Sequence, residues 1–341
     1  MKGFYQYLQP FAPDYSGAAA VLFGMGGLNV LCDPGGCSGN VCGYDEPRFY
    51  GAQTEDLYSA AIRDLDTIFG RDDALEKKVL AAASEKAYPF LALIGTPVVS
   101  VIGTDLKALC KGLSRKAGIP ALAVETNGMD AYDKGAQKAY LQVCKAFAAM
   151  GEGEKTRVGV LGATPLDTAG VSTLKELAQE GDFFYGDAES LTLLKNLACV
   201  KKNVVVSPAG LKAARAMREE YGIPYEARYP LTADLMRVLS ALPANKGAKI
   251  LLLHQQMAAN ALRQAMWEKG YSDVTVGTWF LLDAEIAQPG DCAFADEEEF
   301  MESARGYDVI VGDPLFQKAL EGWDGQFVPL SHFAVSGDLF R

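Results

Sequence analysis

"NVVVSPAGLKAARAMREEYGIPY", residues 203–225, spells out one structural unit from end to end. A valine run breaks at Ser207-Pro208, an amphipathic stretch follows to Tyr221, and Gly222 leads through Ile223-Pro224 into a new extended segment. A short β-branched run that ends on a polar residue reads as a buried parallel strand. Glycine suits the left-handed position just past a helix, and a proline soon after prevents the helix from continuing.

The same grammar recurs on both sides. "FLALIGT" (90–96), "IPALAVET" (119–126), "RVGVLGA" (157–163), "AKILLLH" (248–254) and "DVIVGD" (308–313) are further short Val-, Ile- and Leu-rich runs, with helical patterns such as "DKGAQKAYLQVCKAFAAM" (133–150) between them. "RKAGIPALAVET" (115–126) echoes "EEYGIPYEARYP" (219–230) in its Gly-Ile-Pro turn. Strand, helix, strand at this spacing predicts an α/β fold of parallel sheets with right-handed crossovers. With the joint "LPANKG" (242–247), the reading gives three units, at residues 1–150, 151–246 and 247–341.

A composition of 49% hydrophobic and 22% charged residues is that of an ordinary folded chain, so disorder is not expected to dominate. The net charge of −11 argues against nucleic acid or an anionic membrane surface as the main partner. The opening "MKGFYQYLQPFAPDYSG" is not a secretory signal, and the uncharged run 16–32 is too short and too glycine-rich to span a bilayer. A cytoplasmic location follows as the expectation. "DEEEF" (296–300) reads as a capping-box-like helix start rather than a cation site.

In open α/β sheets, ligands bind beyond the carboxyl ends of strands. Those ends are Gly95-Thr96, Glu125-Thr126, Gly162-Ala163, Ser207-Pro208, His254 and Asp313. "FGMGG" (23–27) has neither dinucleotide-binding nor P-loop spacing, and "LGATPLDTAG" (161–170) reads as an ordinary strand-to-helix turn. Only two histidines are present, His254 and His332, and no Ser-His-Asp set or Cys2His2 zinc spacing can be assembled from them.

The cysteines cluster once, in "NVLCDPGGCSGNVCGYDEPRF" (29–49). Seven cysteines in a reducing compartment make a disulfide framework the poorest explanation. The spacing of Cys32, Cys37 and Cys42 matches no zinc knuckle or bacterial ferredoxin motif. Three thiolates on a glycine-rich loop can hold three irons of a 4Fe–4S cluster, with Asp33 or a partner chain as a fourth ligand; three unrelated buried thiols are the plain alternative. Cys110, Cys144, Cys199 and Cys292 read as packing residues.

Several patterns together make the chain resemble the nitrogenase component 1 family, which includes subunits of light-independent protochlorophyllide reductase and of the nickel-tetrapyrrole reductive cyclase. They are "LQPFAPDYSGAAAVLFGMGGLNVLCDPGGCSG" (8–39), "TEDLYSAAIRDLDTIFGRDDALEKKVLAA" (54–82), "TPVVSVIGTDLKAL" (96–109) and the stretch quoted first. The resemblance implies three Rossmann-like domains around a central cavity, in a homodimer or a heterodimer with a related chain. It also implies an ATP-dependent iron–sulfur reductase as electron donor, a 4Fe–4S cluster near the dimer interface, and reduction of a substrate in the cavity. Cys37 falls on the family's cluster cysteine, whereas Phe11 and Pro97 stand at the two other usual ligand positions and Cys32 at a histidine. The resemblance therefore implies either a cluster relocated onto Cys32, Cys37 and Cys42, or a member that has lost it.

Ser207 stands where true nitrogenases anchor the iron–molybdenum cofactor through a cysteine, and His332 lies next to the position of its histidine. Neither that cofactor nor dinitrogen reduction is expected; a tetrapyrrole or other bulky unsaturated substrate is the family-based expectation. His332, His254, Asp45 and Glu46 are the candidate proton donors, although Arg48 offers the two acids an ion-pair partner. Two other roles compete with the reductase: a cofactor-assembly scaffold of the same fold, and a cluster-free ligand-binding subunit.

Overall fold

The computed structural model describes residues 5–8, 10–51, 57–63, 70, 72–168 and 171–337. Part of the 54–82 stretch that carries the resemblance lies outside them, as do Gln9, Ala169 and Gly170.

Three parallel sheets are present. The first holds β1 (Leu28–Leu31), β2 (Leu57–Ser59), β3 (Leu91–Ile94) and β4 (Ala121–Val124) in the order β2-β1-β3-β4. The second holds β5 (Arg157–Leu161), β6 (Phe183–Phe184), β7 (Val200–Val205) and β8 (Tyr225–Ala227) in the order β6-β5-β7-β8. The third holds β9 (Ile250–Leu253), β10 (Val274–Thr278), β11 (Cys292–Ala293), β12 (Val309–Gly312) and β13 (Gln326–Pro329) in the order β11-β10-β9-β12-β13.

All six strands expected from the sequence are there. The centres of the sheets are buried on both faces: every residue of β1, β3, β9 and β12 is buried, and Asn29, the polar one among them, donates to the Gly27 carbonyl at 3.1 Å. The unit read first forms as expected. Ser207 caps the helix Pro208–Tyr221 by accepting from the Ala209 N–H, Pro208 takes the first helical position, and Gly222 ends it at φ +67°. Gly118 ends the Leu106–Ala117 helix in the same way at φ +72°. At the acidic run, Asp296 accepts from the Glu299 N–H at 2.9 Å, and the Glu299 carboxylate accepts from the Ala295 N–H at 2.8 Å. That is a capping box shifted by one residue.

Two helices cross in near contact. The Asp14–Leu22 helix is buried along its whole length. A Cβ on Gly17 would stand 1.8 Å from the Tyr132 carbonyl oxygen, and one on Gly135 would stand 1.7 Å from that of Asp14. Only glycine permits that approach. The Tyr132–Phe147 helix also packs against Pro208–Tyr221 of the second unit, so one hydrophobic core runs from the first sheet into the second. The crossing leaves Tyr132 fully buried. Among the described residues no helix is long and apolar enough to cross a membrane.

Candidate functional site

The strand ends of the second and third sheets converge on Tyr132. After β5, the chain turns through Thr164 into the short helical turn Pro165–Asp167, which aims Asp167 inward. Asp167 is 1% exposed and accepts three hydrogen bonds: from Ser207 Oγ at 2.8 Å, from Tyr132 Oη at 3.0 Å and from Thr164 Oγ1 at 2.7 Å. Tyr132 Oη also lies 3.0 Å from His332 Nε2. His332 follows β13, and its backbone N–H donates to Asp313, the residue after β12. His254, after β9, stacks on His332 with ring centroids 4.3 Å apart and planes 16° off parallel, and its Nε2 meets the Ser331 carbonyl at 3.3 Å.

Ser207, His254 and His332 are thus brought into one site by two residues that sequence reasoning did not select. Tyr132 stands just before the helical pattern read over 133–150, and Asp167 lay within a turn taken as structural. The signal that pointed to Asp167 was its place just past a strand end, with a threonine three residues earlier.

Burial sets the protonation of this site. It pushes the Asp167 carboxyl up to about 6, against the three donors that favour the charged form. Asp133, next along the helix and also buried, is pushed up to about 7. Burial lowers His254 to about 4, and lowers His332 further with help from the neighbouring ring. Both imidazoles are therefore neutral at neutral pH, so neither carries the proton of an imidazolium. The Nδ1 atoms of both rings are buried without a hydrogen-bond partner. His254, His332, Tyr132, Asp167 and Ser207 are all at most 5% exposed, so side chains fill the centre where the sheets meet.

The cysteine loop is built differently from a ligand cage. Cys32 continues the strand alternation Leu28, Val30, Cys32, which turns its sulfur into the core that contains Cys110 and Leu113. Cys37 packs on the opposite core, hydrogen-bonded to Tyr15. Cys42 sits half-buried on the next helical turn, Val41–Asp45. Burial pushes all three thiols up, Cys32 furthest. Asp33 is committed elsewhere: it accepts from the Ser38 N–H at 2.8 Å and from Ser59 Oγ at 2.6 Å. Among the described residues, no group of three or more His, Cys, Asp or Glu is arranged to hold a metal ion. Cys32, Cys37 and Cys42 do not fit one common ligand set, because period-two alternation sends Cys32 to the far side of the sheet.

The two substituted positions are filled by packing groups. Phe11 joins an aromatic cluster with Trp279, Phe280 and Phe316, its ring 5.7 to 5.9 Å from theirs. Pro97 starts the Pro97–Ile102 helix and lies tight against Gly128. Of the two loop acids, Glu46 is buried and held by Arg48 in a 2.7 Å ion pair, and Arg48 also donates to the Ala20 carbonyl. Asp45 accepts from Ser16 Oγ at 2.6 Å and Asn40 Nδ2 at 2.7 Å, and burial lifts it to about 6.

The sequence profile of the nitrogenase component 1 type oxidoreductases matches residues 13–273. The chain belongs to that family. Curated relatives include the nitrogenase iron-molybdenum cofactor biosynthesis protein NifE of Nostoc sp., 27% identical over 64% of this chain and 48% of that protein. NifE of Sinorhizobium fredii is 24% identical over 62% of this chain and 46% of its own length. The chain thus spans less than half the length of these relatives. Among solved structures, nitrogenase Cp1 at pH 6.5 superposes with a TM-score of 0.68 at 12% identity, covering 96% of this chain and 87% of that one. At that identity the likeness speaks for the fold: three parallel-sheet units of the nitrogenase component 1 type.

Proposed function

We propose that this family member is the redox subunit of a nitrogenase-like reductase. It takes electrons from an ATP-dependent iron–sulfur partner at the loop face around Cys37 and Cys42, and acts on a substrate other than dinitrogen. The observation that carries this reading is the buried row of proton-holding groups, Asp133, Asp167 and Tyr132, where strands from two sheets meet a helix of the first. Reduction of an unsaturated substrate consumes a proton with each electron; carboxyls poised near neutrality, Asp133 and Asp167, suit that demand, with the Tyr132 hydroxyl as a bridging donor. A scaffold that only stores a precursor has no such need.

Cys37 and Cys42 are the thiols that the loop face offers. With Cys32 turned inward, a 4Fe–4S cluster there would need ligands from a second chain, either another copy or a related subunit. The test is iron and acid-labile sulfide on protein purified without oxygen, beside Cys37→Ala and Cys32→Ala variants. About four of each per pair of chains, lost with Cys37→Ala and kept with Cys32→Ala, supports the reading. No iron after reconstitution overturns the electron-transfer role.

The names of the curated relatives favour a second reading, a cofactor-assembly scaffold. ATP-dependent reduction of a bound substrate with the partner reductase supports the first role, and its absence from iron-loaded protein supports the second.

A further inference from the structure

We propose that Asp167, Tyr132 and His332 form a buried proton relay with two internal arrangements, its terminus the Nδ1 atom of His332. The inference rests on the reductase reading for its use, but not for its chemistry. Three groups from three units lie in line, with Tyr132 Oη 3.0 Å from Asp167 Oδ1 on one side and 3.0 Å from His332 Nε2 on the other. A phenol has one hydrogen, so it donates to only one of these neighbours at a time. The choice it makes fixes the tautomer of the imidazole.

In the first arrangement Asp167 is ionised. Tyr132 donates to Asp167, the His332 Nε2–H donates to Tyr132 Oη, and Nδ1 is bare, which matches its lack of a partner. In the second, Asp167 holds the proton and donates to Tyr132 Oη, Tyr132 donates to Nε2, and the hydrogen sits on Nδ1. Going from first to second, one proton drawn from water binds at Nδ1, the Nε2 proton moves to Tyr132, and the tyrosine proton moves to Asp167. Three N–H or O–H bonds form and two break, for a net gain of one proton with no change in electrons. The reverse passage releases one proton at Nδ1.

The surroundings hold the relay in place without short-circuiting it. Thr164 and Ser207 donate to Asp167, Tyr140 faces it, Asp133 and Tyr229 face Tyr132, and Asp313 fixes the backbone of His332. His254 covers the face of the His332 ring and has Asp234 as its own charged neighbour.

With two histidines in the chain, nitrogen NMR of protein labelled with 15N-histidine reads both rings directly, and a His254→Phe variant assigns them. His332 is expected to pass from the Nε2–H to the Nδ1–H tautomer as the pH falls through about 6, and Tyr132→Phe is expected to abolish the exchange. One unchanging tautomer in the folded wild-type protein between about pH 5 and 8 overturns the relay, as does an exchange that persists in Tyr132→Phe. If that variant fails to fold, the wild-type titration decides alone. No iron, partner or substrate enters the measurement, so a failed iron analysis leaves this result standing.

Discussion

Gly17 and Tyr132 approach so closely that a single added carbon on the glycine would stand 1.8 Å from the tyrosine carbonyl. The contact positions the phenol that links Asp167 to His332, so the packing of two helices sets the geometry of the polar centre.

Gly17→Ala is expected to lower stability by about 1–3 kcal/mol, since the clash is with backbone and the helices must separate. Gly36→Ala is the control, because a Cβ there meets nothing within 4 Å. Urea unfolding followed by circular dichroism compares the two; equal stability would remove the crossing from the account of the site.

Arg263 and Asp291 form an ion pair with side chains 3% and 1% exposed. Asp291→Ala leaves a buried guanidinium uncompensated and is expected to cost about 3–5 kcal/mol. Breaking the exposed Lys77–Asp73 pair is expected to change stability by less than about 1 kcal/mol.

Asp133 is raised to about 7 from an ordinary value of 3.8, so the folded state holds a proton that the unfolded chain gives up. Its contribution is complete below the unfolded value and is lost as the pH rises through the folded one. His254, lowered to about 4 from 6.5, acts in the opposite sense and costs stability as the pH falls below 6.5. Unfolding midpoints of Asp133→Asn relative to wild type should therefore shift in favour of the variant as the pH is raised from about 5 to 8. A pH-independent difference would mean that Asp133 is ionised throughout.

Alkylation of the native protein, read by mass spectrometry, should modify Cys37 and Cys42 well before Cys32, Cys110 and Cys144. The first two are half-exposed, whereas the last three are at most 4% exposed. Early modification of Cys32 would contradict its placement in the core.

The interior strands β3, β5, β7, β9 and β12 were legible because each carries a short apolar run closed by a residue that leaves a mark in the sequence. β1 escaped notice because "LNVL" follows a fully buried helix with no charged residue between them, so no change of pattern separates the two. β6 and β11 are two residues long, too short for any periodicity. In the site, the family resemblance pointed to His332, while strand-end logic found Ser207 and His254. It missed Tyr132, which comes from a helix start, and it treated Cys32 by its neighbours in sequence when the alternation of its own strand decided its fate.

The Tyr132–Phe147 helix buries Ala136, Ala139, Tyr140, Val143, Cys144 and Phe147 between partners on either side of residue 150. A fragment ending near that residue would carry a bare apolar stripe, and one beginning there would lack the cover over its Pro208–Tyr221 helix. Exchange of modules between members of this family, in evolution or in the laboratory, therefore has to carry this helix together with both of its neighbours.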